Sequence, residues 1–308
     1  METLAVVLKE PRAIGVQTVA LAEAGPGDVV VDTTFSSISS GTERLLWQGS
    51  MPPFPGMGYP LVPGYETVGR VVEPGTSQFT KGSPVFVPGA RCYKDVHALF
   101  GGAAARTIHP AERLIAIPSD GEEMTLLALA ATAYHAIAIG GAPDLIVGHG
   151  VLGRLVARLT LALGHLAPVV HETAEKRTDA VGYRVCNPQI DERRDYRVIL
   201  DASGHPGIID DAVSRLAHGG QLTLAGFYKE RLDFAFPPAF MREASIQIAA
   251  EWKAQDMAAV TGLVESGKLD LTGLITHRAP IADASTAYDT AFSDPDCLKM
   301  VLAWGESR

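Results

Sequence analysis

The sequence predicts an α/β protein in which a doubly wound parallel sheet is inserted into a β-rich domain. Three observations predict it. Short β-branched runs punctuated by Gly and Pro fill residues 1 to 118, strands and helices alternate beyond residue 125, and a glycine fingerprint opens that alternation.

In the first part, Val29-Val30-Val31, Thr67 to Val72 and Val85-Phe86-Val87 read as short strands. Pro26-Gly27, Pro74-Gly75 and Lys81-Gly82 separate them as turns, so a small barrel or sandwich is expected. Thr125 to Ile139 carries Ala and Leu at helical density. Leu145-Ile146-Val147 is then a strand, Arg154 to Leu163 a helix and Ala167 to Val170 a strand. Arg197 to Leu200, Gln221 to Leu224 and Ser245 to Ala249 repeat the strand signal, a βαβ rhythm. A helix at Asp256 to Ser266 and the segment Gly273 to Arg278 return to another texture. The expected division is residues 1–122 plus 253–308 in one domain and 123–252 in the other.

Length and composition bound the function. The 308 residues give room for two domains of about 150 residues each. With 47% apolar and 20% charged residues the chain can bury a core, and wholesale disorder is excluded. A net charge of −9 (26 basic, 35 acidic residues) argues against a nucleic-acid grip or adhesion to anionic lipid and leaves a small-molecule partner. Cys92, Cys186 and Cys297 form no C-x-x-C pair, so a reducing cytoplasm is expected. The opening METLAVVLKEP lacks the basic and apolar regions of an export signal. The longest apolar stretch, Leu126 to Ile139, is interrupted by Thr132, Tyr134 and His135 and falls short of the ~20 residues a transmembrane helix needs.

Gly148-His149-Gly150-Val151-Leu152-Gly153 fits G-x-G-x-x-G between a strand and a helix. Gly148 serves the tight turn, Gly150 the close approach of a pyrophosphate, and Gly153 the packing of helix on strand, with the helix N-terminus facing the phosphates. Glu172 follows the next strand, where a carboxylate accepts from ribose hydroxyls and repels a 2′-phosphate. NAD is therefore expected over NADP, although Arg177, five residues on, can instead court a phosphate.

The β-rich start, the central fingerprint and the tail Leu274-Ile275-Thr276-His277-Arg278 together resemble the medium-chain dehydrogenase/reductase superfamily over nearly the whole chain. The resemblance implies a Rossmann domain inserted in a GroES-like catalytic domain. Members similar to zinc alcohol dehydrogenases carry Cys-Gly-x-Asp, Gly-His-Glu and a later Cys. Here the matching segments read Ser40-Gly41-Thr42-Glu43, Gly64-Tyr65-Glu66 and the stretch around Ala128. Ser40, Tyr65 and Ala128 at the ligand positions imply that no zinc is bound, and the four-cysteine structural lobe is also missing. More narrowly, Phe35 to Arg44 followed by Trp47 to Glu66 resembles the bacteriochlorophyllide dehydrogenase family. That likeness implies oxidation of a chlorin 1-hydroxyethyl group to acetyl with NAD.

Without a metal, hydrogen-bonding groups must stabilise the reacting oxygen. Thr42 and Ser40 sit where the family places its reactive centre. Tyr65 can polarise a carbonyl or, with a lowered pKa, accept a proton, and Glu66 and Glu43 can relay it or brace the site. Tyr65 can equally be a packed space-filler, Ser40 a silent replacement and Glu66 a structural residue. By resemblance Leu152 and Thr132 back the nicotinamide, and Ser203 and Gly226, beyond two strand ends, contact the cofactor; His149 packs near the pyrophosphate. The loop Met51 to Pro60 is apolar, and a flat macrocycle can lie on Trp47, Phe54, Met57 and Tyr59, unless the loop is a buried connection. Two further functions fit the same features: a zinc-independent quinone or enone reductase, and a pigment carrier that has lost catalysis. A homodimer through Ser245 to Ala249 is expected by analogy.

Overall fold

The structure, a computed structural model, describes residues 1–174 and 179–305. Contacts divide the chain into one unit formed by Met1–Ala128 and Leu271–Arg308 and a second formed by Leu129–Asp270.

Among the described residues of the first unit, two sheets form. A four-stranded sheet is built on the hairpin of β1 (Glu2–Glu10) and β2 (Ala13–Ala20), which the sequence reading passed over. Both strands are rich in β-branched residues, but β1 alternates for only three positions before four consecutive buried residues, which blurs the period of two. The larger sheet centres on β3 (Asp28–Ile38). It pairs antiparallel with β5 (Thr67–Glu73) and, on its other side, with β17 (Met300–Ala303). A strand from the end of the chain thus lies beside one from its start. Helices α1 (Thr42–Gln48) and α7 (Ala284–Ser293) belong to this unit. Tyr288, Phe292 and Trp304 fill its main core with Val6, Ile38 and Leu302.

The second unit holds six parallel strands in the order β12-β11-β10-β13-β14-β15: Arg184–Cys186, Val169–His171, Leu145–Val147, Tyr196–Asp201, Leu216–Leu224 and Ser245–Ile248. Numbered from the first strand, this is the 3-2-1-4-5-6 order of a dinucleotide-binding sheet. β12 also escaped sequence reading, because three residues carry too little pattern. Helix α3 (Val151–Ala162) follows β10, and α6 (Ala254–Glu265) closes the unit.

Two boundaries differ from expectation. Helix α6 packs with the second unit rather than with the tail. Asp256, at its N-terminus, accepts from the Lys253 N–H (2.8 Å) and pairs with His135 Nδ1 at 2.9 Å, and both side chains are buried. The apolar stretch also proves longer than its sequence suggested. A 3₁₀ turn at Glu122–Leu126 runs straight into α2 (Leu127–Gly140), giving 19 residues, long and apolar enough to span a bilayer, and 67% of its most apolar 18-residue stretch is buried within the protein. The chain passes from the first unit to the second inside this helix.

The tie between His135 and Asp256 generates a prediction. Asp256→Ala removes a cap and strands a buried imidazole, so unfolding free energy should drop by about 2–4 kcal/mol in urea denaturation. Asp256→Asn, which keeps an acceptor oxygen, should lose less than half of that.

Candidate active site

In the first unit, three hydroxyls meet where β3 runs into α1. Tyr65 Oη lies 2.8 Å from Ser39 Oγ and 3.4 Å from Thr42 Oγ1, while Ser39 Oγ accepts the Thr42 N–H at 3.3 Å. The serine that reaches Tyr65 is Ser39; Ser40, the residue singled out from the sequence, is exposed. The adjacent serines are indistinguishable by motif, and the pleat of the strand end decides which one turns inward.

Beneath the hydroxyls lies a buried charge cluster. Glu66 is fully buried; its Oε2 accepts from Ser37 Oγ and forms an ion pair with Lys299 Nζ, itself 3% exposed. Among the described residues Glu66 Oε1 has no hydrogen-bond partner. Glu43, also buried, accepts from Tyr288 Oη at 2.6 Å and from the Ser39 N–H at 3.3 Å. Burial, and secondarily the charge of Glu66, raises the Glu43 pKa from 4.5 to about 7.

Burial and the negative charges of Glu66 and Glu43 also push the Tyr65 phenol well above its ordinary range. Of the two roles open to Tyr65 from the sequence, this disfavours the proton acceptor, which needed a lowered pKa. Tyr65 therefore holds its proton at physiological pH, and in its bond with Ser39 either hydroxyl can be the donor. Lys299 and Tyr288 were missed from the sequence. A lysine directly before the apolar run of β17 was the available signal, since a buried ammonium needs a carboxylate.

The expected substrate residues divide. Trp47 packs inward, 5.5 Å from the Phe292 ring. Met57 and Tyr59 pack on the cluster of Leu8, Leu46, Leu61 and Leu99, and Tyr59 Oη donates to the Leu46 carbonyl. Phe54 is 45% exposed and sits 6.3 Å from Phe100, whose ring lies edge-on to Tyr65 at 5.2 Å. The loop is therefore partly a packed connection, with Phe54 as its open aromatic face.

A zinc of the family's kind does not fit these donors. Around Tyr65 stand hydroxyls and one carboxylate already paired with an ammonium; Ala128 is a buried alanine in α2. Among the described residues no three His, Cys, Asp or Glu side chains gather in a metal-binding group.

The second unit carries the dinucleotide cradle. Gly148 has φ +96, and a Cβ on it would meet Ser203 at 3.0 Å. A Cβ on Gly153 would fall 1.9 Å from the Gly148 carbonyl oxygen, so only glycine lets α3 start there. Around Gly150 a Cβ would meet nothing within 4 Å: the space is open, and no side chain caps α3. Half-buried Leu152 is in the first turn of α3, and Thr132 lies on α2.

His149 is buried, with Nε2 2.8 Å from Tyr183 Oη, and Arg154 forks onto Asp179 at 2.6 and 2.9 Å. Glu172, just beyond β11, already accepts from the amides of His149, Thr173 and Ala174 at 3.3, 2.8 and 3.0 Å. Buried Asp201 shapes the next loop by accepting from Ser203 Oγ (2.6 Å), the Gly204 N–H (3.2 Å) and Tyr228 Oη. A Cβ on Gly226 would strike Gly204 at 2.6 Å, which keeps the two strand-end loops close. Arg177 lies outside the described residues.

Two predictions follow from these geometries. Between pH 4.5 and 7 folded Glu43 keeps a proton that the unfolded chain has released, so stability falls as pH rises through that window, by on the order of 3 kcal/mol. Glu43→Gln should flatten that slope in urea titrations, and an unchanged slope would contradict the assignment. In the cradle, Gly150→Ala should leave the melting temperature in place yet weaken NADH binding at least about tenfold by fluorescence titration.

The comparisons agree with this geometry. Residues 25–119 match the alcohol dehydrogenase GroES-like domain. The chain is 55% identical to the 2-desacetyl-2-hydroxyethyl bacteriochlorophyllide A dehydrogenase of Rhodobacter capsulatus, with all of both chains covered. It is 57% identical to the protein of that name from Cereibacter sphaeroides, over 99% of each. L-idonate 5-dehydrogenase of Escherichia coli has the same fold, with a TM-score of 0.87 at 18% identity over 99% of each chain. Full-length identity above one half, joined to a six-stranded dinucleotide sheet and a GroES-like unit, places this chain in the medium-chain dehydrogenase family, together with the bacteriochlorophyllide dehydrogenases.

Proposed function

We propose that the protein oxidises the C3 1-hydroxyethyl group of a bacteriochlorophyllide to acetyl, with NAD as hydride acceptor. The observation that carries this reading is the identity of 55 and 57%, across essentially the whole chain, to two dehydrogenases named for that substrate. The carbinol C–H bond breaks as its hydride goes to NAD, the O–H proton leaves, and the products are the ketone, NADH and a proton. When bound, NAD supplies the electron-accepting nicotinamide.

The chain's own residues hold the oxygen and move its proton. Tyr65, protonated by its surroundings, donates a hydrogen bond to the substrate oxygen and favours the carbonyl that forms. Ser39 and Thr42 share that proton network, and their hydroxyls can each donate and accept. Lys299 offsets the charge of Glu66 below them, and Glu43, its pKa raised by burial to about 7, is only partly ionised near neutral pH. The floor under the reacting oxygen is thereby kept near neutral, so charge developing on that oxygen is not repelled.

NAD rather than NADP is supported by Glu172, whose carboxylate stands at the end of the second strand of the sheet and disfavours a 2′-phosphate. A homodimer through β15 is supported by the edge itself. All four of its residues are exposed, with Ile248 69% accessible, and an unpaired apolar edge of this kind invites a second copy.

The test is to mix protein, NAD and 3-(1-hydroxyethyl) bacteriochlorophyllide and follow NADH together with the pigment's red band. Equimolar NADH and a red shift are expected, because the new carbonyl conjugates with the ring. Tyr65→Phe should lower kcat by about 10²–10³ with little change in KM. NADH binding without pigment turnover would instead favour a quinone or enone reductase.

A further inference from the structure

A cleft opens beside the aromatic loop of the first unit. It has a volume of about 280 Å³ and is lined by Pro55, Gly56, Arg91, Tyr93, Val96 and His97. Arg91 is exposed and, among the described residues, its guanidinium has neither an ion pair nor a hydrogen bond. Three arginines of the unit are ion-paired, Arg70 with Asp120, Arg106 with Asp32 and Arg278 with Glu122, whereas Arg91, like Arg44 and Arg113, has no ion pair among the described residues. The nearest acid along the chain, Asp95, is turned away to the Ala20 N–H at 3.0 Å. Tyr93 Oη is committed to the Gly101 carbonyl, so its ring serves as a wall. His97 stands against Gly58, where a Cβ would come within 2.7 Å of Nε2. In a chain of net charge −9 the cleft offers an unspent cation on an apolar rim.

Its place relative to the hydroxyl cluster gives it meaning. Ala90, the residue before Arg91, donates its N–H to the Phe100 carbonyl at 2.8 Å. Phe100 in turn touches both Tyr65 and Phe54. An aromatic ledge, Tyr65-Phe100-Phe54, thus runs from the reacting oxygen's hydrogen-bond donor toward the cleft. A bacteriochlorophyllide is the unesterified pigment, a flat apolar macrocycle whose ring-D propionate is a free carboxylate, one pyrrole away from the ring that bears the hydroxyethyl group. We propose that the macrocycle lies on this ledge and that the cleft receives its propionate, with the Arg91 guanidinium as counter-ion. A planar fork of N–H donors suits a carboxylate better than an ammonium does. The inference rests on the chlorin reading above, and it adds the reason for preferring the free acid to an ester.

The test compares the free-acid pigment with its propionate methyl ester, in binding titrations by pigment absorption and in turnover. The parent protein should bind the acid about fivefold more tightly than the ester, a modest ratio because the ion pair is exposed. In Arg91→Ala that ratio should collapse to about one; Arg91→Lys should keep part of it, and added salt should erode it. A parent protein indifferent to esterification, or an Arg91→Ala variant that still discriminates, overturns the assignment. If both pigments bind with an Arg91-dependent preference but neither is oxidised, the cleft stands and the dehydrogenase reading falls. If neither binds, both fall.

Discussion

The buried ion pair between Glu66 and Lys299 is the constraint on which the first unit depends. Moving two charges out of water is costly, and only close pairing with good geometry offsets it. Glu66 stands where the chain enters β5, and Lys299 where it enters β17. Their pairing therefore requires that the last strand lie beside the first large sheet, and β17 does so by joining β3. Once this contact is made, Tyr65 is fixed above it and Glu43 beside it. Packing, topology and chemistry meet at one pair of side chains.

In the proposed reaction a tyrosine with its proton retained, two hydroxyls and an ion-paired carboxylate serve an oxygen by hydrogen bonds rather than ligate a cation. Among the described residues Glu66 Oε1 has no hydrogen-bond partner, a cost that the hold of Lys299 and Ser37 on the other oxygen offsets.

The second unit solves a different problem, backbone approach. Its glycines are not interchangeable. Gly153 and Gly226 are required by the protein's own packing, whereas Gly150 faces open space and is left for what comes to the helix end. Asp201, its carboxylate satisfied from several directions, holds the loop beyond β13 in a single shape. Preorganisation of this sort lets a helix N-terminus act on a phosphate without rearrangement.

The alternation of strands and helices, the fingerprint and the β-rich start were legible in the sequence, because period, turn residues and glycine spacing are local properties. Local reading also singled out Thr42, Tyr65 and Glu66, which the fold brings to one place. It could not choose Ser39 over Ser40, since both satisfy the same motif and only the pleat of the strand end turns one inward. Nor could it find Lys299 and Tyr288, which lie more than 200 residues from their carboxylates and meet them only through the β3–β17 pairing and the packing of α7. Likewise the sign of the Tyr65 pKa shift was beyond the sequence. Ionisation is set by burial and by charges brought close in space, and both are properties of the tertiary structure alone.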